Sequence, residues 1–416
     1  MIRPAFLFRP CAAVSLLWLL LLPVCQALPA QDKLELSGFA RLVGGYLDSP
    51  DDTEFNGYQD NVSVQQQSLL ALQPSYHFTP GLTLTGQFVA HSNSERHSGT
   101  EWLYLSYRAG QHWHIRAGKL RMPFFSYSDS IDIGYSYPWI SAPTQVYNNY
   151  LFSTFNGIST SYRYAARSYA LDLEGYYGYF DGDIFSAGSR VDVEARVNHL
   201  TGAVMSLSSH NLQLRLSYHQ GQNDTDLPEL QPLQQGLTQA GYVQQANDFD
   251  SDGTIRILQA ALSYDSLNTF YKAEWVKTRT ELELTPKFTG YYLTAGVHTG
   301  DWSSHLTYAG SAYGKVTADP ALQDASNNSQ HPLFLLANGY YQVFNSIPDG
   351  SMESYTLGSR WNFTLNMAFK AEVSYLQENQ PRSGFFAGSD SGLYDPGYDN
   401  QKRSATLYQL GWEWVF

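Results

Sequence analysis

The sequence predicts an all-β fold, a transmembrane antiparallel β-barrel of sixteen strands. Three observations predict it: apolar and polar side chains alternate with a period of two, short turns alternate with longer polar loops, and few charges accompany many aromatic residues. Charged residues are 15% and aromatic residues 15% of the 416 residues. A barrel wall that faces lipid on one side and water on the other explains this combination.

The alternation is clearest in the last strand. One face carries Tyr408, Leu410, Trp412, Trp414 and Phe416, and the other carries Gln409, Gly411 and Glu413. A strand of a soluble β-sandwich also alternates. Two features favour the membrane barrel instead. The polar faces carry full charges of both signs in mid-strand, and tyrosine and tryptophan cluster near strand ends, as membrane interfaces favour.

The connections give the strand count. Short turns are expected at residues 79–81, 109–111, 165–167, 209–211, 266–268, 299–301 and 362–364. Longer polar segments lie near 48–61, 92–100, 122–155, 180–190, 221–253, 279–287, 313–351 and 378–402. These fifteen connections join sixteen strands. Because lipid leaves no sheet edge unpaired, we expect the first strand, about 33–46, to pair with the last, 403–416.

The N-terminus reads as a secretory signal peptide, residues 1–27. Arg3 and Arg9 precede an apolar run, and Cys25-Gln26-Ala27 is a small-x-Ala cleavage site. The alternatives are an N-terminal membrane anchor and lipidation at Cys25. Both cysteines lie in this segment, so the remaining domain, residues 28–416, is expected to lack disulfides.

The chain at this point resembles the Gram-negative outer-membrane porins of the general, trimeric kind. Three features carry the resemblance: the terminal aromatic Phe416, the basic strand end from Arg116 to Pro123, and the long aromatic loop at 122–155. The resemblance implies a homotrimer in the outer membrane and passive diffusion of small hydrophilic solutes or ions. It also implies that the loop at 122–155 folds inward and narrows the channel.

The charge is distributed unevenly. The formal net charge is −13, and the eight longer loops hold 7 basic and 25 acidic residues. The rest of residues 28–416 holds 16 basic and 13 acidic residues. This acidic balance argues against a nucleic-acid partner, which requires a basic face. The slightly basic wall predicts a mild anion preference.

The predicted constriction combines loop acids with wall cations. Basic residues expected on the inward face are Arg41, Arg116, Arg163, Arg196, Arg215, Arg256, Lys272, Arg360 and Lys370. We expect the acids of the loop at 122–155, Asp129 and Asp132, to face a basic cluster. The cluster contains Arg116, Lys119 and Arg121, together with Arg41 or Arg163.

Strict alternation raises one difficulty for this cluster, because it gives Lys119 and Arg121 the parity opposite to Arg116. Either a bulge near Gly118 resets the phase, or the two residues sit above the membrane. The alternative for Asp129 and Asp132 is ordinary loop hydrogen bonding. The alternative for the wall arginines is ion pairing in the lumen without a role in transport.

One acidic segment resembles the start of a calcium loop, with Asp248, Asp250 and Asp252 before Gly253. An EF-hand needs glutamate at the twelfth position, where Gln259 stands, so an EF-hand is rejected. A looser divalent-cation site, such as one for Ca²⁺ that bridges to lipopolysaccharide, stays open beside the alternative of a solvated acidic turn. No other cofactor is expected.

These observations predict a porin channel with a mixed-charge constriction and no enzymatic activity. No Gly-x-Ser-x-Gly, phosphate loop or His-Glu-x-x-His motif occurs. The alternatives are a substrate-specific outer-membrane channel, an outer-membrane barrel enzyme, and a structural or binding barrel with a blocked lumen.

Overall fold

The computed structural model describes residues 33–49, 53–93, 96–147, 152–186, 191–225, 227–388 and 401–416. Sixteen antiparallel strands form a closed barrel, so the predicted fold class and strand number are confirmed. The predicted signal peptide, residues 1–27, lies outside the described residues.

Eighteen strands are described, of which all but the second and the seventeenth belong to the barrel. In chain order they are β1 (Leu34–Asp48), β2 (Thr53–Phe55), β3 (Leu69–Thr79), β4 (Leu82–His91), β5 (Gly99–Ala109), β6 (Trp113–Arg121), β7 (Thr154–Ala165), β8 (Ala170–Ser186), β9 (Val191–Ser209), β10 (Leu212–Asp224), β11 (Asp252–Asp265), β12 (Thr269–Thr280), β13 (Phe288–Thr299), β14 (Trp302–Tyr313), β15 (Ser351–Trp361), β16 (Met367–Gln380), β17 (Phe386–Gly388) and β18 (Ser404–Val415).

The described parts of the loops contain five α-helices: α1 (Thr144–Tyr147), α2 (Gln231–Gln239), α3 (Val243–Asn247), α4 (Gln323–Ser326) and α5 (Phe334–Asn345). Among the described residues, no helix is both long and apolar enough to cross a bilayer.

The barrel closes between its first and last strands, as predicted. β1 pairs with β18 from Phe39 opposite Val415 to Asp48 opposite Thr406. All seven short turns fall within a few residues of their predicted positions. At the turn between β13 and β14, Gly300 has a φ of +59°, which glycine adopts without the steric cost that a side chain brings.

The outer face of the wall carries apolar side chains and the inner face carries polar ones, as a barrel with lipid outside and water inside requires. Leu306, Leu357 and Leu410 are 59%, 63% and 68% exposed on the outer face. Their neighbours in sequence, such as Thr307 and Gln409, are buried on the inner face. So many exposed large apolar side chains are stable only where lipid covers them.

The expectation that Arg196 and Arg256 face the barrel interior is wrong. Both side chains lie on the outer face, near the long-loop end of the barrel. Arg256 shares its parity with Leu258 and Leu262, whose side chains are exposed. Arg196 forms an ion pair with Asp181 on the neighbouring strand. Its phase is changed by the register shift between Gly178 and Phe180 in the pairing of β8 with β9.

The long loops are more ordered than the sequence suggested. β2 in the first loop pairs with β17 in the eighth. Two other loops share an apolar cluster, in which Leu237 and Phe249 pack with Leu322, Tyr340 and Phe344. The segment predicted as a loop at 180–190 is mostly strand, because β8 continues to Ser186.

Candidate constriction site

The third loop lies between β6 and β7, and its described residues, 122–147 and 152–153, are held against the inner face of the wall. Trp139 donates from Nε1 to Oγ1 of Thr307 in β14 at 2.9 Å. Tyr147 in α1 donates to Oε2 of Glu274 in β12 at 2.6 Å. Both wall residues are buried and point inward. These contacts fix the loop at two separate strands.

Inward-facing cations satisfy the backbone carbonyls of this loop. The Nζ of Lys370 donates to Gly134 O at 2.6 Å, to Tyr137 O at 2.8 Å and to Trp139 O at 2.5 Å. The guanidinium of Arg360 donates to Tyr135 O at 2.7 Å. An irregular loop cannot bond all its own carbonyls, and buried carbonyls require donors.

Arg41 belongs to this group of anchors. Its guanidinium donates to Ile140 O and to the Tyr137 hydroxyl. It also forms an ion pair with Glu413 in β18 at 3.3 Å. Arg41 thus contacts the third loop through Tyr137 and Ile140, and its charge is neutralised by the buried Glu413.

Acidic side chains of the wall satisfy backbone N–H groups in the same loop. Glu372 accepts from Ile140 N at 2.7 Å. Glu274 accepts from Ser126 N at 2.9 Å as well as from Tyr147. The loop is therefore clamped by both signs of charge, from strands on the side of the barrel opposite β6.

Asp132, in the first half of the loop, is buried in an ion-pair cluster. It pairs with Arg96 at 2.8 Å and with Arg121 at 3.0 Å, and Arg121 also contacts Glu101. Burial alone would raise the pKa of Asp132, but the two guanidinium groups outweigh it and lower the pKa below its ordinary value. Asp132 and Arg121 thus neutralise each other and stabilise the loop.

Asp129 differs from Asp132, because its side chain is exposed to the lumen. No described lysine or arginine forms an ion pair with Asp129. Enclosure within the barrel raises the pKa of Asp129, and the nearby charge of Arg116 opposes this rise. Arg116 itself is half-buried on the inner face and pairs with Glu174 in β8 at 2.5 Å. Arg116 is thus the cation that acts most strongly on Asp129, beside the carboxylate of Glu174, and Arg121 and Arg215 act on it more weakly.

The raised pKa of Asp129 predicts a pH-dependent charge. As pH falls from 7 through the raised pKa, Asp129 takes up a proton while Arg116 stays charged. We expect the permeability ratio of anion to cation to rise over this interval. Asp129→Asn should show the low-pH ratio at every pH, measured as reversal potentials in a salt gradient. The same pH-dependent step retained in Asp129→Asn would contradict the assignment.

Two other predicted site residues lie elsewhere. Lys119 is opposite Leu103, whose side chain is exposed on the outer face. Strand pairing continues without a shift through Gly118 on both sides, so no bulge turns Lys119 inward. Arg163 is 67% exposed near the turn between β7 and β8 and pairs with Asp172 at 3.6 Å, away from the third loop.

The three aspartates of the proposed calcium segment do not converge. Asp248 accepts from Tyr340, Asp250 from Gln234 and Asp252 from Gln222. Within the described ranges, no three His, Cys, Asp or Glu side chains group as metal ligands do. Calcium takes about six to eight oxygen ligands, so this arrangement does not fit a calcium ion.

Comparison with solved structures identifies the fold as that of outer-membrane porins. The anion-selective porin from Comamonas acidovorans matches with a TM-score of 0.57 and 13% identity, over 92% of this chain and 99% of that one. OmpF of Salmonella typhi in complex with daunomycin matches with a TM-score of 0.53 and 14% identity, over 92% and 97%. The channel DcaP of Acinetobacter baumannii matches with a TM-score of 0.51 and 11% identity, over 92% and 97%. No family model and no curated protein matches the chain.

Proposed function

We propose that this protein is a porin in the outer membrane of a Gram-negative cell, through which small hydrophilic solutes and ions diffuse passively. The observation that carries the proposal is the third loop, which inward-facing charges fix against the wall while Asp129 stays exposed to the lumen. A barrel of sixteen strands is wide enough for an aqueous channel. A loop fixed inside it sets the narrowest cross-section.

The constriction that we propose is built from Asp129, Arg116 and Glu174. Opposite charges at a narrow point select ions through the local field. Asp132, Arg121 and Arg41 support this constriction by positioning the loop. A mild anion preference is proposed from the basic wall, and one solved protein of this fold is named an anion-selective porin. The two carboxylates of the constriction oppose this preference at pH 7, so it should be clearest below the pKa of Asp129.

The test is single-channel recording in planar bilayers with the purified full chain. Large, steady, ohmic steps support passive diffusion. Saturable flux of one solute would favour a substrate-specific channel, and no conductance would favour a barrel with a blocked lumen. Hydrolase activity that disappears with one serine or histidine substitution would favour an enzyme.

Arg116→Ala provides a sharper test of the constriction. Removal of this cation leaves Glu174 and Asp129 without their nearest positive charge. The permeability ratio should shift toward cations by about five-fold, the order that one unit charge produces across a few ångströms of water. Lys402→Ala is the control, because Lys402 is exposed in the eighth loop. Equal, negligible shifts in both variants would remove Arg116 from the constriction.

We also propose a homotrimer. OmpT of Vibrio cholerae, which has this fold, is described in a trimer form, with a TM-score of 0.51 and 11% identity. Sedimentation of the detergent-solubilised protein at the mass of three chains would support this assembly, and sedimentation at one chain mass would contradict it.

A further inference from the structure

The third loop begins with a short segment that crosses the inside of the barrel. Met122, Pro123 and Phe124 follow directly after β6, and all three are buried. Arg215 in β10 donates to Pro123 O at 2.5 Å and to Phe124 O at 3.4 Å. Strands β7, β8 and β9 lie between β6 and β10 in the closed barrel. The segment 122–124, which we call the closing strip, therefore runs as a chord across the inner faces of three strands.

Aromatic rings fill the space between the closing strip and the wall. Phe155 in β7 contacts Tyr176 in β8 at 4.9 Å between ring centroids, and Tyr176 contacts His219 in β10 at 5.8 Å. The ring of Phe124 then meets His219 edge-on at 5.2 Å. Phe124 and Tyr176 belong to one buried apolar cluster, which also includes Leu200 in β9. Because packed interiors leave few voids larger than a water molecule, the closing strip seals the lumen between β6 and β10.

The rest of the third loop meets the wall in the remaining directions. Residues 126–147 are clamped to β1, β12, β14, β15, β16 and β18 by the anchors described above. Asp132 and Arg121 fill the space beside β5 and β6 with their ion pair. Toward β3 and β4, Ile133 packs against an apolar group that consists of Phe39, Leu69, Ala71 and Val89. Among the described residues, the third loop thus contacts the inner face of the wall on every side.

Charged side chains lie on the short-turn side of the closing strip. Arg116 in β6 pairs with Glu174 in β8, and Asp129 is exposed to the lumen beside them. An ion that enters from the short-turn mouth reaches these charges and then meets the closing strip. Transport past the three charges therefore requires the closing strip to move.

The wall behind the closing strip is polar, which suits it to contact with water. Arg215, Ser217 and His219 point inward from β10, and the Ser217 hydroxyl donates to Phe124 O at 3.4 Å. His219 Nε2 lies 2.8 Å from the Ser217 hydroxyl, and its Nδ1 lies 2.7 Å from the Tyr176 hydroxyl. If the closing strip leaves, water replaces its carbonyls as the partner of Arg215 and Ser217 at little net cost. The wall is thus satisfied with the strip in either position.

We propose that the closing strip is a gate. The structure shows the closed arrangement, and the channel conducts when residues 122–124 leave β10 while residues 126–147 stay docked. The docked part is held by buried charges that each bond several groups, such as Lys370 and Glu274. The strip is held by the guanidinium of Arg215 and by ring contacts. This inference rests on the proposed channel function.

Thiol labelling of the full chain measures whether the closing strip moves. Ser217→Cys places a thiol on the wall behind the strip, and Ser126→Cys places one at an exposed position of the third loop for comparison. The reagent is a charged methanethiosulfonate, and the chain without either substitution gives the background. Ser217→Cys should label about ten-fold more slowly than Ser126→Cys. Addition of Phe124→Ala should remove most of this difference, because the ring packs against the wall only in the closed arrangement.

Two further variants make this measurement specific. Tyr218→Ala is the matched control, because Tyr218 lies in the same strand but is exposed on the outer face. This control should leave the labelling of Ser217→Cys slow. Arg215→Gln removes the guanidinium that holds the closing strip without emptying the aromatic cluster, so it tests the gate even if Phe124→Ala fails to fold. It should also speed the labelling.

Single-channel recording separates the gate from the channel itself. The gate predicts closures between ohmic openings in the unmodified protein and open times prolonged about ten-fold by Phe124→Ala. Labelling of Ser217→Cys as fast as Ser126→Cys would overturn the gate. Labelling and open times that neither Phe124→Ala nor Arg215→Gln changes would also overturn it. Faster labelling of these variants without conductance in any protein would instead overturn the channel proposal, and the gating role with it.

Discussion

Lys370→Met is expected to destabilise the docking of the third loop by about 3 kcal/mol. The Nζ of Lys370 donates to the carbonyls of Gly134, Tyr137 and Trp139, and its side chain is buried. Methionine has a similar length but no donor, so three buried carbonyls lose their partner at roughly 1 kcal/mol each. A loosened loop should raise the current noise and the mean conductance of the channel.

Two measurements test this. The first is the temperature at which the folded barrel loses its fast mobility in a gel, and the second is single-channel recording. Lys402→Met is the matched control, because Lys402 lies exposed in the eighth loop. We expect the control to keep both properties of the unmodified protein. An unchanged transition temperature and quiet channels in Lys370→Met would show that the three carbonyls do not hold the loop.

The strands of the barrel wall could be predicted from the sequence, because a barrel in lipid requires alternating side chains and a partner for every strand edge. The alternation from Tyr408 to Phe416 identifies β18 without any other information. The absence of free edges then pairs this strand with β1. The same parity places Lys370, Arg360 and Glu274 on the inner face. Arg256 is two positions from Leu258 in the same strand, so alternation places both side chains on the outer face.

The partners of the inward side chains could not be predicted in the same way. Lys370 bonds with backbone carbonyls of a loop that lies 231 to 236 positions away in sequence. That contact depends on the path of an irregular segment, and no period describes such a path. For the same reason, sequence could not distinguish Asp132, which is buried between two arginines, from Asp129, which faces the lumen.

Some loop structure did have a signal. Ala337, Tyr340 and Phe344 in α5 have the three- and four-residue spacing of a helix face, and all three are buried. The sequence prediction treated 313–351 as one longer polar segment and assigned no helix within it. β2 and β17 have no such signal, because strands of three residues are too short to show alternation.

Glu274→Gln is expected to release the third loop at both of its ends. Oε1 of Glu274 accepts from Ser126 N at 2.9 Å and from Gln259 Nε2 at 2.8 Å. Oε2 accepts from the Tyr147 hydroxyl at 2.6 Å and from the Tyr292 hydroxyl at 3.1 Å. Burial and the charge of Glu274 both raise the pKa of Tyr147, so this phenol stays protonated and donates.

Glutamine keeps the volume of this side chain but replaces one accepting oxygen by a donor. Two of the four donors then meet an N–H group, and the cost should be about 2–4 kcal/mol. Glu283→Gln is the control, since Glu283 is exposed in the sixth loop. Denaturant midpoints of refolded barrels provide the measurement. Equal midpoints for both variants would show that Glu274 is not an anchor.

Combining Lys370→Met with Glu274→Gln tests whether the loop docks as one body. The two anchors contact different stretches of the loop, Lys370 at 134–139 and Glu274 at 126 and 147. If either substitution already detaches the whole loop, the second removes little more, and the double variant loses less stability than the sum of the single variants. If the two stretches dock independently, the losses add within about 0.5 kcal/mol. Because one rigid loop is what a constant channel cross-section requires, we expect the non-additive result.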